Sequence, residues 1–230
     1  MVTSINHGHQ PHDLLWLADP AALVVQESLP RWATPEWLAV SPVVVRRSTI
    51  AVPGEGPVGL RGATLPIGLR GATRSERCAA HVSADQVVRS LTPEAIAHQA
   101  STCAVVSASA LPCLRTLARV AGALDALQLA WGVTGSVGFT LASGFDVLRF
   151  DSDLDLVVRA PSMADADELY AVAALLPDLE ARVDVQVETP LGAFALQEWL
   201  RTGGPVLLRT NCGPMLVDDA WSGLGVTPAR

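Results

Sequence analysis

Asp153 and Asp155 stand two residues apart in the segment Asp151-Ser152-Asp153-Leu154-Asp155-Leu156. On a strand, residues at i and i+2 point to one face, with Cα atoms roughly 6.5 to 7 Å apart. Leu154 and Leu156 then point the other way, into the core. Two carboxylates aimed at one spot repel each other unless a cation sits between them. Magnesium (Mg2+) suits such a pair, because it takes oxygen ligands from one or two carboxylates and from substrate phosphates. Asp184 lies on the strictly alternating run Val183-Asp184-Val185-Gln186-Val187-Glu188 and supplies a third carboxylate if the two strands are neighbours. Three carboxylates can hold two metals about 3.5 to 4 Å apart, the arrangement used for in-line phosphoryl displacement. The alternative is a solvated strand end with ordinary surface acids, and a bare pair of aspartates does not separate the two.

Gly135-Ser136, eighteen residues upstream of Asp153, narrows the choice. A Gly-Ser turn at the end of a strand lets backbone N–H groups and a hydroxyl approach a phosphate closely. A second set of phosphate partners is arginine. Arg70, Arg74 and Arg77 carry guanidinium forks that match phosphate oxygens, although pairing with the protein's own acids would occupy them equally well. Charge is distributed to the same effect. From Arg46 to Arg89 there are seven arginines and three acids, whereas from Asp146 to Glu188 there are eleven acids and three arginines. One region is suited to anions and the other to cations.

Composition bounds the chemistry further. All sixteen basic residues are arginine, which excludes a P-loop lysine or a Schiff base. The net charge of −7 and the 5% of aromatic residues disfavour a nucleic-acid surface. Half the residues are hydrophobic and only 17% are charged, enough for a sizeable core and too apolar for a disordered chain. Cys78, Cys103, Cys113 and Cys212 are scattered and form no CxxC, so they are expected to be reduced thiols. Residues 1–11 carry no basic n-region and no apolar h-region, so no secretory signal is expected there. The uncharged stretches 95–114 and 126–145 are interrupted by Gly, Ser, Thr, Gln or Pro and are expected to be buried soluble segments, not membrane spans. A cytoplasmic protein without nucleic-acid or membrane partners is expected.

The elements that must position these residues follow from periodicity and caps. His12 to Leu17 opens the first ordered element, and Trp37-Leu38 with Pro42 to Arg47 predicts a short strand. Glycine and proline from Val52 to Gly71 predict turns and short strands. Within that stretch Leu60-Arg61-Gly62-Ala63-Thr64 recurs as Leu69-Arg70-Gly71-Ala72-Thr73. Thr92-Pro93-Glu94 starts a helix, and apolar spacing from Pro112 carries another to about Ala130. Trp131 to Val133 predicts a strand running into the Gly135-Ser136 turn, with further strands at Phe145–Phe150 and Leu154–Val158. Ser162 caps a helix to about Leu176. After the strand of Asp184, Thr189-Pro190 predicts a helix start, ended by Gly203-Gly204. The fold class is therefore α+β, a small mostly β N-terminal domain over 1–88 and a catalytic domain over 89–230. His7 and His9 lie in a tail and predict no metal site, His12 is expected to have a structural hydrogen-bonding role, and Trp131 is placed to wall the pocket.

The order strand, Gly-Ser, loop, paired acids, helix, strand with a further acid resembles the nucleotidyltransferase superfamily. The resemblance is closer still to one family. Trp131-Gly132-Val133-Thr134-Gly135-Ser136-Val137-Gly138-Phe139, Leu141-Ala142-Ser143-Gly144 and Asp151 to Leu156 are similar to the malonate decarboxylase holo-acyl-carrier-protein synthases, the phosphoribosyl-dephospho-CoA transferases. His12-Asp13-Leu14-Leu15-Trp16, Pro66-Ile67-Gly68-Leu69-Arg70-Gly71, Phe194–Leu200 and Leu207-Leu208-Arg209-Thr210 fit it as well. The resemblance implies a nucleotidyltransferase-fold catalytic domain and a defined reaction. That reaction is transfer of 2′-(5″-triphosphoribosyl)-3′-dephospho-CoA to a serine of the malonate decarboxylase acyl-carrier protein, with release of pyrophosphate. Asp153, Asp155 and Asp184 would bind magnesium, Asp184 would help deprotonate the serine, and Gly135-Ser136 would hold the leaving phosphates. Arg70, Arg74 and Arg77 would meet the triphosphate or the acidic carrier. The alternatives are a nucleotidyltransferase acting on a small molecule or on the citrate lyase carrier protein, and a non-catalytic nucleotide-binding relative.

Overall fold

The computed structural model describes residues 8–47, 63–103, 106, 108–223 and 227–228. His7 and positions 60–62 of the first Leu-Arg-Gly-Ala-Thr copy lie outside the described residues. Backbone packing groups the chain into two units that meet in sequence between Thr92 and Pro93, with Arg47 counted in the second.

In the first unit, strands β1 (Leu14–Leu17), β2 (Val43–Val45), β3 (Thr64–Arg70), β4 (Arg77–Ser83) and β5 (Val87–Leu91) form an antiparallel sheet. Their order is β4-β3-β2-β1-β5. Residues 89–91 thus belong to the first sheet, where Arg89 pairs with Trp16 and lays its guanidinium 4.1 Å from the indole centroid. Alternation drives the assembly: Ile67 and Leu69 on β3 and Ala80 and Val82 on β4 point inward with Leu15, Val43 and Val45. Trp37 and Leu38 lie on a short helix, α1 (Pro35–Val40), and not on a strand. Thr34 caps this helix by accepting from Trp37 N, and Pro35 occupies its first turn, the same start signal that Thr92-Pro93 carries.

The second unit is a mixed seven-stranded sheet of order β12-β11-β10-β9-β8-β7-β6. Its strands are β6 (Ala130–Val133), β7 (Leu154–Arg159), β8 (Val183–Thr189), β9 (Gly192–Ala195), β10 (Val206–Thr210), β11 (Gly213–Val217) and β12 (Thr227–Pro228). Among the described residues β7 and β8 run parallel and the other pairings in this sheet are antiparallel. The helices described are α2 (Pro93–Ser101), α3 (Pro112–Asp125), α4 (Gly135–Ser143), α5 (Ala166–Ala174) and α6 (Leu196–Thr202). Parallel neighbours need a crossover, and α5 lies within it. Ser162 starts it as expected, through a capping box with Asp165 on a short 3₁₀ turn that leads into α5. On α3 the buried Cys113, Leu114, Leu117, Val120, Ala121 and Leu124 follow the helical period.

Three expectations fail for reasons of tertiary pairing. Helix α3 ends at Asp125, five residues early, because Ala130 is recruited to β6 and pairs with Arg159. Phe145–Phe150 is a loop, not a strand: among the described residues it pairs with no strand, and Phe150 is left 73% exposed. Thr189-Pro190 does not start a helix. Thr189 ends β8 and Pro190-Leu191 form the hairpin tip, which lets Phe194 pair with Val187 and bury its ring. The helix begins at Leu196 and ends at Gly203 in the left-handed conformation.

Candidate active site

Sheet topology brings Gly135 and the three candidate acids to one end of neighbouring strands. Because β6 is antiparallel to β7, the C-terminal end of β6 adjoins the start of β7. Because β8 is parallel to β7, its start lies there too, and Asp155 and Asp184 are direct register partners. Asp153 immediately precedes β7. One carboxylate oxygen from each of Asp153, Asp155 and Asp184 lies within 4.8 Å of the others, and all three residues are half-buried. Two positions further along β7, Val157 is fully buried, so the acids occupy the strand's solvent-open start. Leu154 and Leu156 are buried on the opposite face, in agreement with the period-2 pattern.

Gly135 fits this strand end for two reasons. Its φ is +59°, and a Cβ there would lie 1.8 Å from Asp155 Oδ2. Gly135 is the first residue of α4, so the expected turn is also a helix start, with its N-terminal N–H groups and the half-buried Ser136 beside the acids. The junction is stapled: Thr134 N donates to the Asp155 carbonyl at 2.9 Å, and Thr134 Oγ1 donates to the same oxygen at 3.3 Å. Upstream, Gly132 permits close approach of α2, since a Cβ there would meet Pro93 at 2.4 Å.

A fourth charged residue joins the cluster that sequence reasoning did not single out. Arg182 donates from Nε to both oxygens of Asp184, at 3.1 and 3.2 Å, and from its NH2 group to Oδ2. These hydrogen bonds, then the charge of Asp184, hold the guanidinium above its usual pKa, and Asp153 and Asp155 add to the effect. The signal was available: Arg182 and Asp184 are two apart at the start of an alternating strand. Cys113 is also near; burial pushes its thiol pKa up, and Asp153 contributes in the same direction.

The remaining predicted residues are placed as follows. Arg70, Arg74 and Arg77 are gathered on the β3–β4 hairpin of the first unit, with Arg70 opposite Arg77. Arg74 and Arg77 are exposed, and Arg77 Nε donates to the Arg74 carbonyl. Arg70 is buried at 8% exposure, and its carbonyl accepts from Trp37 Nε1. Glu188 shares the face of Asp184 but is drawn into a separate network, accepting from Arg47 and from Gln186 Nε2. Trp131 is buried and donates from Nε1 to Asp125, which makes it a core residue.

A site of three converging carboxylates beside a glycine-opened helix start, built on a mixed sheet, is suited to holding hard cations and phosphates. Residues 96–220 match the C-terminal domain of the phosphoribosyl-dephospho-CoA transferase MdcG, and residues 10–93 match its N-terminal domain. The chain is 43% identical to a phosphoribosyl-dephospho-CoA transferase of Pseudomonas putida (strain W619), over 93% of this chain and 95% of that one. It is 42% identical to the one from Pseudomonas syringae pv. tomato, over 92% of each chain. With the one from Klebsiella pneumoniae (strain 342) the identity is 40%, over 92% of this chain and 96% of that one. No solved structure matches. The chain belongs to the phosphoribosyl-dephospho-CoA transferase family and is a transferase. Among the described residues no helix is long and apolar enough to cross a membrane.

Proposed function

We propose that this protein transfers 2′-(5″-triphosphoribosyl)-3′-dephospho-CoA to a serine of the malonate decarboxylase acyl-carrier protein, on a nucleotidyltransferase-fold catalytic domain in the cytoplasm. The observation that carries the proposal is the convergence of Asp153, Asp155 and Asp184 on one point beside Gly135. The donor set fits magnesium: among the described residues, three carboxylates converge there at a solvent-open strand start. Bound there, magnesium would neutralise charge on the phosphate oxygens as the bond is exchanged.

The chain's own residues do the rest by position. The serine hydroxyl oxygen forms a bond to the phosphorus nearest the ribose, and the bond from that phosphorus to the bridging oxygen of the pyrophosphate breaks. Pyrophosphate leaves with the electron pair, and a phosphodiester remains. Gly135 and Ser136 offer N–H groups and a hydroxyl to the leaving phosphates, where a helix start favours negative charge. Asp184 takes the serine proton. Arg74 and Arg77, exposed on their hairpin, offer forks to the triphosphate or to the acidic carrier, and Arg70 lies buried on the same hairpin.

Mass spectrometry of the purified carrier, incubated with donor, magnesium and enzyme, tests the proposal. The carrier should gain the mass of the donor less pyrophosphate, and one pyrophosphate should appear per carrier modified. A carrier left unmodified, or modified without pyrophosphate, overturns it. Modification of the citrate lyase carrier at a higher rate would move the acceptor assignment there.

A further inference from the structure

We propose that Arg182 is a phosphate-binding residue for the donor, held in reserve by Asp184 until the metal takes that carboxylate. The inference rests on the metal-and-donor reading above. It starts from the way residue 182 is mounted. The backbone of residues 181–183 is held by three bonds: Ala181 N donates to buried Thr116 Oγ1 of α3 at 3.0 Å, the Arg182 carbonyl accepts from Leu154 N at 2.9 Å, and the Val183 carbonyl accepts from Gln197 Nε2 at 3.1 Å. In the register of β7, Leu154 pairs with Val183, which sets Arg182 alongside Asp153, one step before the Asp155–Asp184 pair. Yet the side chain is 74% exposed and hydrogen-bonds to the Asp184 carboxylate. A rigid base with an exposed, swinging head suits a residue that changes partner.

The change of partner follows from electrostatics. In the metal-free state three carboxylates share one small region, and a guanidinium is the cation at hand to reduce their repulsion. When a divalent cation binds the three acids, Asp184 commits its charge to the metal, and the guanidinium faces a like charge at close range. It must then find another anion near residue 182. The metal recruits its own counter-anion, the phosphate chain of the donor, and the planar guanidinium fork matches phosphate oxygens in bidentate geometry. The exchange moves Arg182 from a carboxylate to a phosphate with no net loss of pairing, so metal and donor binding reinforce each other. An exposed side chain makes the swap without disturbing the core.

The test uses the full chain, Mn2+ as a spectroscopic probe of the metal site, and inorganic pyrophosphate as the phosphate probe. Arg182→Gln removes the charge and keeps the length; Arg182→Lys keeps the charge and loses the fork. Without pyrophosphate, Mn2+ measured by electron paramagnetic resonance should bind Arg182→Gln more tightly, by up to about fivefold, because a competing cation of exposed-pair strength is gone. With Mn2+ saturating, calorimetry should show pyrophosphate binding Arg182→Gln about tenfold more weakly, equivalent to about 1.4 kcal/mol, with Arg182→Lys in between. Weaker Mn2+ binding to Arg182→Gln would overturn the proposal by making Arg182 a support for Asp184. Unchanged pyrophosphate binding would overturn it by leaving Arg182 a counter-ion only. If the wild type bound no Mn2+, the metal reading itself would fall, and the Arg182 exchange with it.

Discussion

Replacing Gly135 by alanine perturbs the site through two separable effects. A Cβ at 135 would lie 1.8 Å from Asp155 Oδ2, 2.6 Å from its Cγ and 2.8 Å from its Cβ. To restore even a 3.0 Å separation the carboxylate oxygen has to retreat by about 1.2 Å, away from the point shared with Asp153 and Asp184. A displacement of about 1 Å at a reacting centre costs on the order of a hundredfold in rate. Separately, alanine at φ +59° incurs about 1 to 2 kcal/mol of left-handed backbone strain. For a chain of this size that lowers the melting temperature by roughly 2 to 8 °C. Gly144, at φ +77° with nothing within 4 Å of its notional Cβ, isolates the second effect. Gly135→Ala and Gly144→Ala should therefore both melt earlier, Gly135→Ala by more because the overlap with Asp155 adds to the strain, while only Gly135→Ala loses transfer, about a hundredfold in the carrier mass assay. Mn2+ binding should weaken in Gly135→Ala alone. Wild-type transfer by Gly135→Ala, or an equal loss in Gly144→Ala, would refute the claim that Gly135 exists to admit the Asp155 carboxylate.

Other expectations follow from the same geometry. Asp153→Asn and Asp155→Asn should keep the fold by circular dichroism and abolish transfer, and EDTA should stop the wild type; full activity in a metal-free assay would refute the metal site. Asp184→Asn should remove transfer, whereas Glu188→Gln, which withdraws the charge facing Arg47 in a buried pair, should cost about 1 to 3 kcal/mol of stability and much less activity. Exposed Arg74→Ala and Arg77→Ala should raise the dissociation constant for the donor or the Michaelis constant for the carrier, while buried Arg70→Ala should lower the melting temperature first. His81 is held below the ordinary histidine pKa of about 6.5, by burial first and then by the Arg46 charge. The unfolded chain binds that proton more readily, so stability should fall as pH drops below about 6.5, and His81→Gln should flatten that slope in pH-dependent melting curves.

Local pattern alone determined much of this protein. The family is legible in the Gly135-Ser136 and Asp151–Leu156 segments, and the relatives at about 40% identity bear it out. Period-2 spacing placed Asp153 and Asp155 together with Leu154 and Leu156 opposed, because side-chain direction on a strand depends on nothing beyond the strand itself. Where local signals agreed with the final pairing, as at Pro93 and Ser162, element starts were legible as well. Thr34-Pro35 and Thr189-Pro190 carry the same start signal, yet one opens a helix and the other ends a strand, because the burial of Phe194 against Val187 outweighs a cap preference. The meeting of Asp155 with Asp184 is of the same kind. Nothing local to either aspartate specifies that β7 and β8 are parallel neighbours in that register; the sheet order does. Arg182 reaches its partner by the plain i, i+2 rule, but its proximity to Asp153 and Asp155 exists only once Leu154 N bonds its carbonyl. Strand direction is written in the chain, whereas which strands meet, and so which charges share one region, is decided by the packing of residues far apart in sequence.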